Sequence, residues 1–441
     1  MIPTGADAAL FDFKRVFVVV SNVCNCRCVM CNNRHHSLGK SQLTFTDVHR
    51  IARFAVDNHV DVLDLSGGEP FEFPHIARLI REFGASETTL NIVTNGTIMT
   101  GDLVDAIAQA PSLRLQVSTH GLGKVEDDIK ALRGAAGKVE RTLGLLEDAG
   151  VSVSLATVVQ RRNLHQLMDI YRHFSMFPAS HHSFVMYEPM GDVPPEHIDP
   201  DDVRITADRA DELREQMMAV IAAAHADGNV INLDPPLVEK YVERVLVEGS
   251  AKASSEPSKA AEASTPEPSS APAKHFSHPG LLCTIPRRNL FIDHTGDVRP
   301  CFHFDWQALN SHCSLSEAPI DELVFSPAYR EMILTAIGPG GCPGCDAACY
   351  IWDPDFRRRA TQPNADDTLV AMLAERGAPW PSPHDAGDAA FEGRGRRELR
   401  MAEARAAYLE EALRTVELSS SWRITAPLRR LRRLARIARG R

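Results

Sequence analysis

The chain has 441 residues, of which 44% are hydrophobic and 24% charged, the composition of a globular protein with one large domain and a smaller companion. No apolar run reaches the roughly 18 residues of a membrane-spanning helix, and the amino terminus lacks a secretory signal, so we expect a cytoplasmic protein. The net charge of −10 includes eight arginines and no acid in residues 423–441. This pattern predicts an interaction segment and no nucleic-acid partner.

Strand-like and helix-like patterns alternate over the first part of the chain. The predicted strands are residues 16–21, 60–66, 88–94, 113–119, 151–159 and 183–187. The predicted helices are residues 46–58, 76–83, 102–109, 138–149 and 164–174. Such strand–helix units in series predict a parallel α/β sheet with right-handed crossovers. Glycine and polar residues follow the strands at their carboxyl ends, where barrel active sites lie, so we predict a partial (β/α)6 TIM-like barrel. An open doubly wound sheet is the alternative.

The sequence after the sixth predicted strand indicates several separate segments. A longer helix at residues 205–227 completes a core domain of residues 13–230. Residues 249–274 contain no aromatic or large aliphatic side chain, which predicts a disordered linker. A small cysteine-rich α+β module follows at residues 275–352. Residues 392–441 are predicted to form a helical tail whose basic amphipathic end contacts the inner membrane surface, with a solvated charged tail as the alternative.

The first cysteine group has the spacing C-x3-C-x2-C, formed by Cys24, Cys28 and Cys31 directly after the first strand. Three thiolates on one short loop can bind three irons of a [4Fe–4S] cluster and leave the fourth iron open. A disulfide framework is not expected in the cytoplasm. Zinc is the main alternative, but it usually takes four protein ligands, and Cys26 is the only spare cysteine nearby.

A second motif follows the second predicted strand, where residues 66–70 read SGGEP. The glycines permit close backbone approach, and a carboxylate can pair with an ammonium group. Together with the cysteine spacing, this segment resembles the radical S-adenosylmethionine (SAM) superfamily, and the resemblance covers roughly residues 13–191. It implies that Cys24, Cys28 and Cys31 hold the cluster that binds SAM.

The same resemblance implies the residues that contact SAM. They are Gly67, Gly68, Glu69, Pro70, Asn95, Ser118, Arg133 and Thr157. It also implies that an external one-electron reductant, such as flavodoxin or ferredoxin, reduces the cluster. SAM is then cleaved to a 5′-deoxyadenosyl radical that abstracts hydrogen from a substrate.

The second cysteine group lies beyond the predicted linker. Its spacing is C-x12-G-x4-C across a predicted β-hairpin, followed by a C-x2-C pair. This resembles the SPASM and twitch auxiliary modules, and the resemblance implies one auxiliary [4Fe–4S] cluster. The implied ligands are Cys283, Cys301, Cys342 and Cys345. Cys313 and Cys349 are left over and allow a second auxiliary cluster, and a zinc ribbon is the alternative.

These patterns predict a radical SAM iron–sulfur oxidoreductase that dehydrogenates a carbohydrate-type small molecule. Residues 419–429 resemble C-terminal segments of bacterial glycosyltransferases that build surface polysaccharides, which favours a carbohydrate. The first alternative is a peptide maturase. Residues 1–14 leave no room for a leader-peptide-binding domain, so a peptide substrate would need a separate partner. The second alternative is a non-catalytic, zinc-binding scaffold at a membrane.

Overall fold

The computed structural model describes residues 11–31, 41–187, 199–253, 285–301 and 313–337. Within them the strands are β1 (Arg15–Ser21), β2 (Val62–Gly67), β3 (Thr89–Thr94), β4 (Leu113–Ser118), β5 (Val153–Val159), β6 (Ala179–Met186), β7 (Asn289–Ile292) and β8 (Val298–Arg299). The helices are α1 (Phe45–Asp57), α2 (Ile76–Phe83), α3 (Gly101–Ala108), α4 (Lys124–Lys130), α5 (Ala135–Asp148), α6 (Leu167–Phe174), α7 (Pro200–Val203), α8 (Ala210–Asp227), α9 (Pro235–Ala253), α10 (Ile285–Arg288), α11 (Ile320–Leu323) and α12 (Pro327–Ile337).

These strands form one sheet in the order β6-β5-β4-β3-β2-β1-β7-β8. The pairs from β1 to β6 are all parallel. A doubly wound sheet reverses its strand order at a switch point, whereas this order runs without reversal from β1 to β6. The structure therefore confirms the predicted parallel, barrel-like architecture over the doubly wound alternative. β6 and β1 are not paired within the described residues, so the barrel is partial.

Several elements differ from the sequence-based predictions. β6 begins at Ala179, before the predicted start at residue 183, because its first residues are small or polar and lack a β-branched pattern. Helix α4 was not predicted. Helix α9 was not predicted either, and its last residues, 249–253, overlap the predicted linker. Residues 254–274 lie outside the described residues, and the other predicted domain limits stay predictions.

The two faces of the sheet differ in character. One face is covered by helices and forms the main hydrophobic core, in which strand residues such as Val18, Leu65 and Leu155 pack on helix residues such as Ile51 and Leu143. The opposite face, called here the inner face, carries polar and aromatic side chains. They are Arg15, Phe17, Asp64, Asn91, Arg114, Gln116, Ser154, His181 and Ser183.

The C-terminal part joins the same sheet. β7 pairs in parallel with β1, and Phe17 stacks on Phe291 with 5.6 Å between ring centroids. β7 and β8 form an antiparallel hairpin, in which Gly296 occupies the predicted turn with a φ of 93°. The helices of this part pack back on the barrel, since Tyr329 of α12 contacts Phe13 beside β1.

In the part of the chain that the structure describes, no helix combines the length and apolar character needed to cross a membrane. The predicted tail of residues 392–441 lies outside the described residues.

Candidate functional site

The cysteine loop, defined as residues 22–31, leaves β1 at the carboxyl edge of the sheet. Cys24, Cys28 and Cys31 are half-buried, whereas Cys26 is only 1% exposed. The Cys26 Sγ atom lies 4.0 Å from the hydroxyl of Thr97. The structure thus separates the three cysteines of the C-x3-C-x2-C spacing, which are accessible, from the extra thiol, which faces the protein.

Neighbouring thiols in this loop interact. A hydrogen bond with Cys26, followed by burial, raises the pKa of the Cys24 thiol. The bond with Cys24 lowers the pKa of Cys26, but its bond with Cys28 and its burial raise that pKa to about 12. Metal centres bind thiolates, so loading this loop with a cluster releases protons.

The SGGEP segment runs directly against the cysteine loop. The Gly68 amide donates to the carbonyl of Ser21 over 2.6 Å, and the Glu69 amide donates to that of Val23 over 2.8 Å. A Cβ atom at Gly68 would lie 2.0 Å from the Val23 carbonyl oxygen, and one at Gly67, where φ is 144°, would lie 2.4 Å from that of Ser21. Only glycine allows the two loops to approach so closely.

Replacing Gly68 by alanine is therefore expected to displace the cysteine loop and to lower the free energy of unfolding by about 3 kcal/mol. Iron incorporation should fall as well. Urea unfolding and iron analysis measure both effects. Gly137 in α5 is the matched control, because nothing lies within 4 Å of an added Cβ. Gly137→Ala should stabilise the helix by about 0.5–1 kcal/mol, and equal behaviour of both variants would argue against a steric role for Gly68.

Glu69 is 1% exposed and ties the SGGEP segment to the end of β3. Its Oε1 atom accepts from the Phe71 amide over 3.1 Å and from the Thr94 hydroxyl over 2.7 Å, and Oε2 accepts from the Asn95 amide over 2.7 Å. A carboxylate has about four acceptor positions, so one remains for a ligand. Burial raises the pKa of Glu69 to about 7, although these bonds and the charge of Lys130 act to lower it.

Asn95 is the centre of the third-strand loop, defined as residues 94–97. Its Nδ2 atom donates to Oδ1 of Asn25 over 2.8 Å and to Sγ of Cys24 over 3.8 Å. Its Oδ1 atom accepts from the amide and the hydroxyl of Thr97. The structure therefore brings Asn95 into direct contact with both the cysteine loop and Glu69.

Lys130 is a site residue that the sequence reasoning did not identify. Its ammonium is fully buried and donates to the Asn95 carbonyl over 2.5 Å and to the Ser118 carbonyl over 2.9 Å. Ser118, one of the predicted SAM contacts, is half-buried at the end of β4. A pattern that could have identified Lys130 is the spacing Glu126-x3-Lys130, which pairs opposite charges on one helix face.

The structure does not bring two of the predicted SAM contacts, Thr157 and Arg133, to the cysteine loop. Thr157 lies on the helix-covered face of β5, where its hydroxyl donates to the Thr119 carbonyl over 2.5 Å. Val158 faces the other side of the strand and packs in the cluster around Met30, because neighbouring residues of a strand point to opposite faces. The contact of Thr157 with SAM stays a prediction. Arg133 is exposed in a surface pocket with Lys124 and Arg162.

The side chains of the cysteine loop, Glu69 and Asn95 suit an iron–sulfur cluster and SAM. Three accessible thiols on one loop can each bind one iron of a cubane and leave an open iron. The free acceptor position of Glu69 suits an ammonium group. Among the described residues, no three His, Cys, Asp or Glu side chains converge where a single metal ion could sit.

The described residues include two cysteines of the second group, Cys301 and Cys313. Cys301 follows β8 and is half-buried, and Cys313 is 2% exposed, with its Sγ atom 3.9 Å from the Ser326 hydroxyl. The carbonyl of Cys313 accepts from the Val298 amide, which extends the hairpin by a third segment. The remaining cysteines of this group lie outside the described residues. They are Cys283, Cys342, Cys345 and Cys349.

Two sequence families match the chain. The radical SAM superfamily matches residues 18–174, and the family named SPASM, an iron–sulfur cluster-binding domain, matches residues 283–350. Each matched segment contains the cysteines that were predicted as ligands.

Similar proteins share these segments. An AdoMet-dependent heme synthase from Methanosarcina barkeri is 30% identical over 148 residues, covering 33% of this chain and 42% of the relative. A PqqA peptide cyclase from Bradyrhizobium diazoefficiens is 23% identical over 158 residues, covering 35% of this chain and 41% of the relative. The chain thus spans about two-fifths of the length of these curated relatives.

A similar solved structure is Streptococcus suis SuiB bound to S-adenosylmethionine. It superposes with a TM-score of 0.52 at 16% identity, over 77% of this chain and 74% of SuiB. SuiB bound to its precursor peptide SuiA superposes with a TM-score of 0.50 at 16% identity, over 75% of this chain and 72% of SuiB. These similarities establish a common fold.

Proposed function

We propose that this chain, whose residues 18–174 match the radical SAM superfamily and whose residues 283–350 match the SPASM iron–sulfur cluster-binding domain, dehydrogenates a carbohydrate-type small molecule. When bound, the cluster of the first loop supplies the electron that converts SAM into a hydrogen-abstracting radical, and the SPASM cluster supplies an acceptor for an electron released by the substrate. The folded chain contributes binding, orientation and exclusion of water.

Specific residues would hold the cofactors. Cys24, Cys28 and Cys31 would bind the cluster, because they are the accessible thiols of the loop. Glu69 would accept a hydrogen bond from the SAM ammonium at its remaining acceptor position, and the Asn95 network would keep the loops together. The assignment of Cys301 to the auxiliary cluster, together with Cys283, Cys342 and Cys345, stays a proposal.

The observation that supports a carbohydrate-type substrate is the polar inner face of the sheet. Asp64 is held there by Arg15 and by Asn91, whose Nδ2 atom lies 2.6 Å away. His181 and Ser183 are joined by a 2.7 Å hydrogen bond and remain half-exposed. Hydroxyl, imidazole and amide groups on a half-open surface suit a substrate with many hydroxyl groups.

In this reaction the substrate loses one hydrogen atom to the radical derived from SAM. The remaining carbon radical then loses one electron and one proton, so a carbinol becomes a carbonyl. The sum is a two-electron oxidation, and methionine and 5′-deoxyadenosine are the co-products. An external one-electron reductant must supply the electron that starts each turnover.

A peptide substrate is the second candidate. It is favoured by the similarity to a peptide cyclase and to SuiB, which was solved with a precursor peptide. A peptide would then occupy the same inner face and be oxidised or cross-linked there.

The test is anaerobic reconstitution followed by incubation with SAM and reductant. Deuterated nucleotide sugars and synthetic peptides are offered separately. Transfer of deuterium to 5′-deoxyadenosine, with loss of two hydrogens from a sugar, would support the first candidate. The same transfer only from a peptide would replace it by the second. No 5′-deoxyadenosine with any substrate, despite intact clusters, would contradict both.

A further inference from the structure

A buried ion pair lies behind the cysteine loop. Glu126 and Lys130 stand one turn apart on α4, with 2.6 Å between Oε1 and Nζ, and their side chains are 1% and 0% exposed. The second carboxylate oxygen of Glu126 accepts from the His120 amide over 2.7 Å. A buried pair of charges is costly to form, so its retention calls for a role other than stability.

Lys130 joins three loops at once. Its ammonium is surrounded by Oε1 of Glu126 and by the carbonyls of Asn95 and Ser118, which follow β3 and end β4. Its own carbonyl accepts from the Arg27 amide over 3.0 Å, and the Ile129 carbonyl accepts from the Val29 amide over 2.9 Å. The residues on both sides of Cys28 are therefore fixed to the end of α4.

The two residues of this ion pair contact different segments. The Lys130 ammonium contacts the third-strand loop and its backbone carbonyl contacts the cysteine loop, whereas the second carboxylate oxygen of Glu126 accepts from the His120 amide. The Lys130 ammonium thus lies against the carbonyl of Asn95, whose Nδ2 atom lies 3.8 Å from Sγ of Cys24. A positive charge in a poorly solvated site favours addition of an electron nearby.

We propose that Lys130 is a positioning residue for the radical SAM site, which locks the cysteine loop to the third-strand loop and whose charge favours the reduced cluster. The inference rests on the cluster site of the proposed function. The redox step concerned is the transfer of one electron from the external reductant to the cluster.

The test compares two variants with the wild-type protein, all reconstituted anaerobically. Glu126→Gln/Lys130→Met removes both charges without leaving either one unpaired. Glu126→Gln alone removes only the negative end. Samples are poised at one potential, and the EPR signal that changes on addition of SAM is quantified. The ratio of reduced to oxidised cluster should fall about tenfold in the double variant, which is 59 mV for one electron. It should rise in Glu126→Gln.

The matched control is the pair formed by Lys124 and Asp128 on the same helix. It has the same i,i+4 spacing, but its side chains are 84% and 47% exposed. Lys124→Met/Asp128→Asn should leave the ratio unchanged.

Opposite shifts in the two variants support the proposal, because loss of structure alone would not raise the ratio in either. Loss of the SAM-responsive signal from a folded double variant also supports it, provided that the control keeps the signal. An unchanged ratio in the double variant, or shifts of the same sign, would overturn it. If the double variant does not fold, the sign of the shift in Glu126→Gln decides. A wild-type protein without any SAM-responsive signal would instead contradict the proposed function.

Discussion

Single replacement of Cys24, Cys28 or Cys31 by serine is expected to reduce 5′-deoxyadenosine formation to background and to remove about four irons per chain. The physical reason is that each thiol provides the protein ligand of one iron, and a serine hydroxyl does not ionise near neutral pH to replace it. All three cysteines are accessible on one loop whose backbone is anchored to α4. Iron analysis and chromatography of 5′-deoxyadenosine measure the effect.

Cys26 provides the control within the same loop. It is 1% exposed and faces Thr97 rather than the open side of the loop. Cys26→Ser should therefore retain the iron and most of the SAM cleavage. If this variant loses as much iron as the others, or if one of the other three variants stays active, the assignment of ligands from the C-x3-C-x2-C spacing is wrong.

Replacement of Glu69 by glutamine is expected to weaken SAM binding by about ten- to a hundredfold at pH 8. A hydrogen bond to a charged group contributes about 1.5–3 kcal/mol, and 1.4 kcal/mol corresponds to a factor of ten in affinity. The glutamine side chain also places an N–H group opposite N–H and O–H groups that now donate hydrogen bonds to Glu69. The third-strand loop should therefore loosen. Isothermal titration of the reconstituted protein with SAM, under anaerobic conditions, measures the loss.

The pH dependence gives a second readout for Glu69. Burial raises its pKa to about 7 in the folded protein, above the usual 4.5. The carboxyl group therefore contributes its full stability below about pH 4.5, and this contribution is lost as the pH rises through about 7. The loss is on the order of 3 kcal/mol before cofactors bind. SAM affinity should change in the opposite sense and rise between pH 6 and about 8, because the ammonium needs the ionised carboxylate.

Glu72 is the matched control for both measurements, since it is an exposed carboxylate in the same turn. Glu72→Gln should keep the SAM affinity and both pH profiles of the wild type. If Glu69→Gln retained the wild-type pH dependence of SAM affinity, the carboxylate would not be the group that binds the ammonium.

The sequence predicted the parts of the site that depend on chain-local patterns. The cysteine spacing, the SGGEP segment and Asn95 each follow a strand with clear β-branched character, and the structure places all three at one edge of the sheet. That edge could be predicted because parallel strands bring their carboxyl ends together.

The alternation of residues 151–155, which read VSVSL, continues to Thr157 and already indicates that this side chain shares the apolar face of the strand. The position of Lys130 depends instead on packing between distant segments. Lys130 was overlooked because a lysine in a charged segment is usually exposed. Its burial arises only when α4 packs behind the cysteine loop, and neither segment alone indicates this contact.

The pairing of β7 with β1 has a consequence for biosynthesis. The first strand of the sheet gains its second neighbour only when the chain has been made beyond residue 292. Until then, the β-branched run of β1 presents an unpaired edge, which is the kind of surface on which other chains add as strands. In the finished protein the outer strand on that side is β8, with only two residues. A fragment that ends before β7 is thus expected to aggregate during expression, even though it contains the whole cysteine loop.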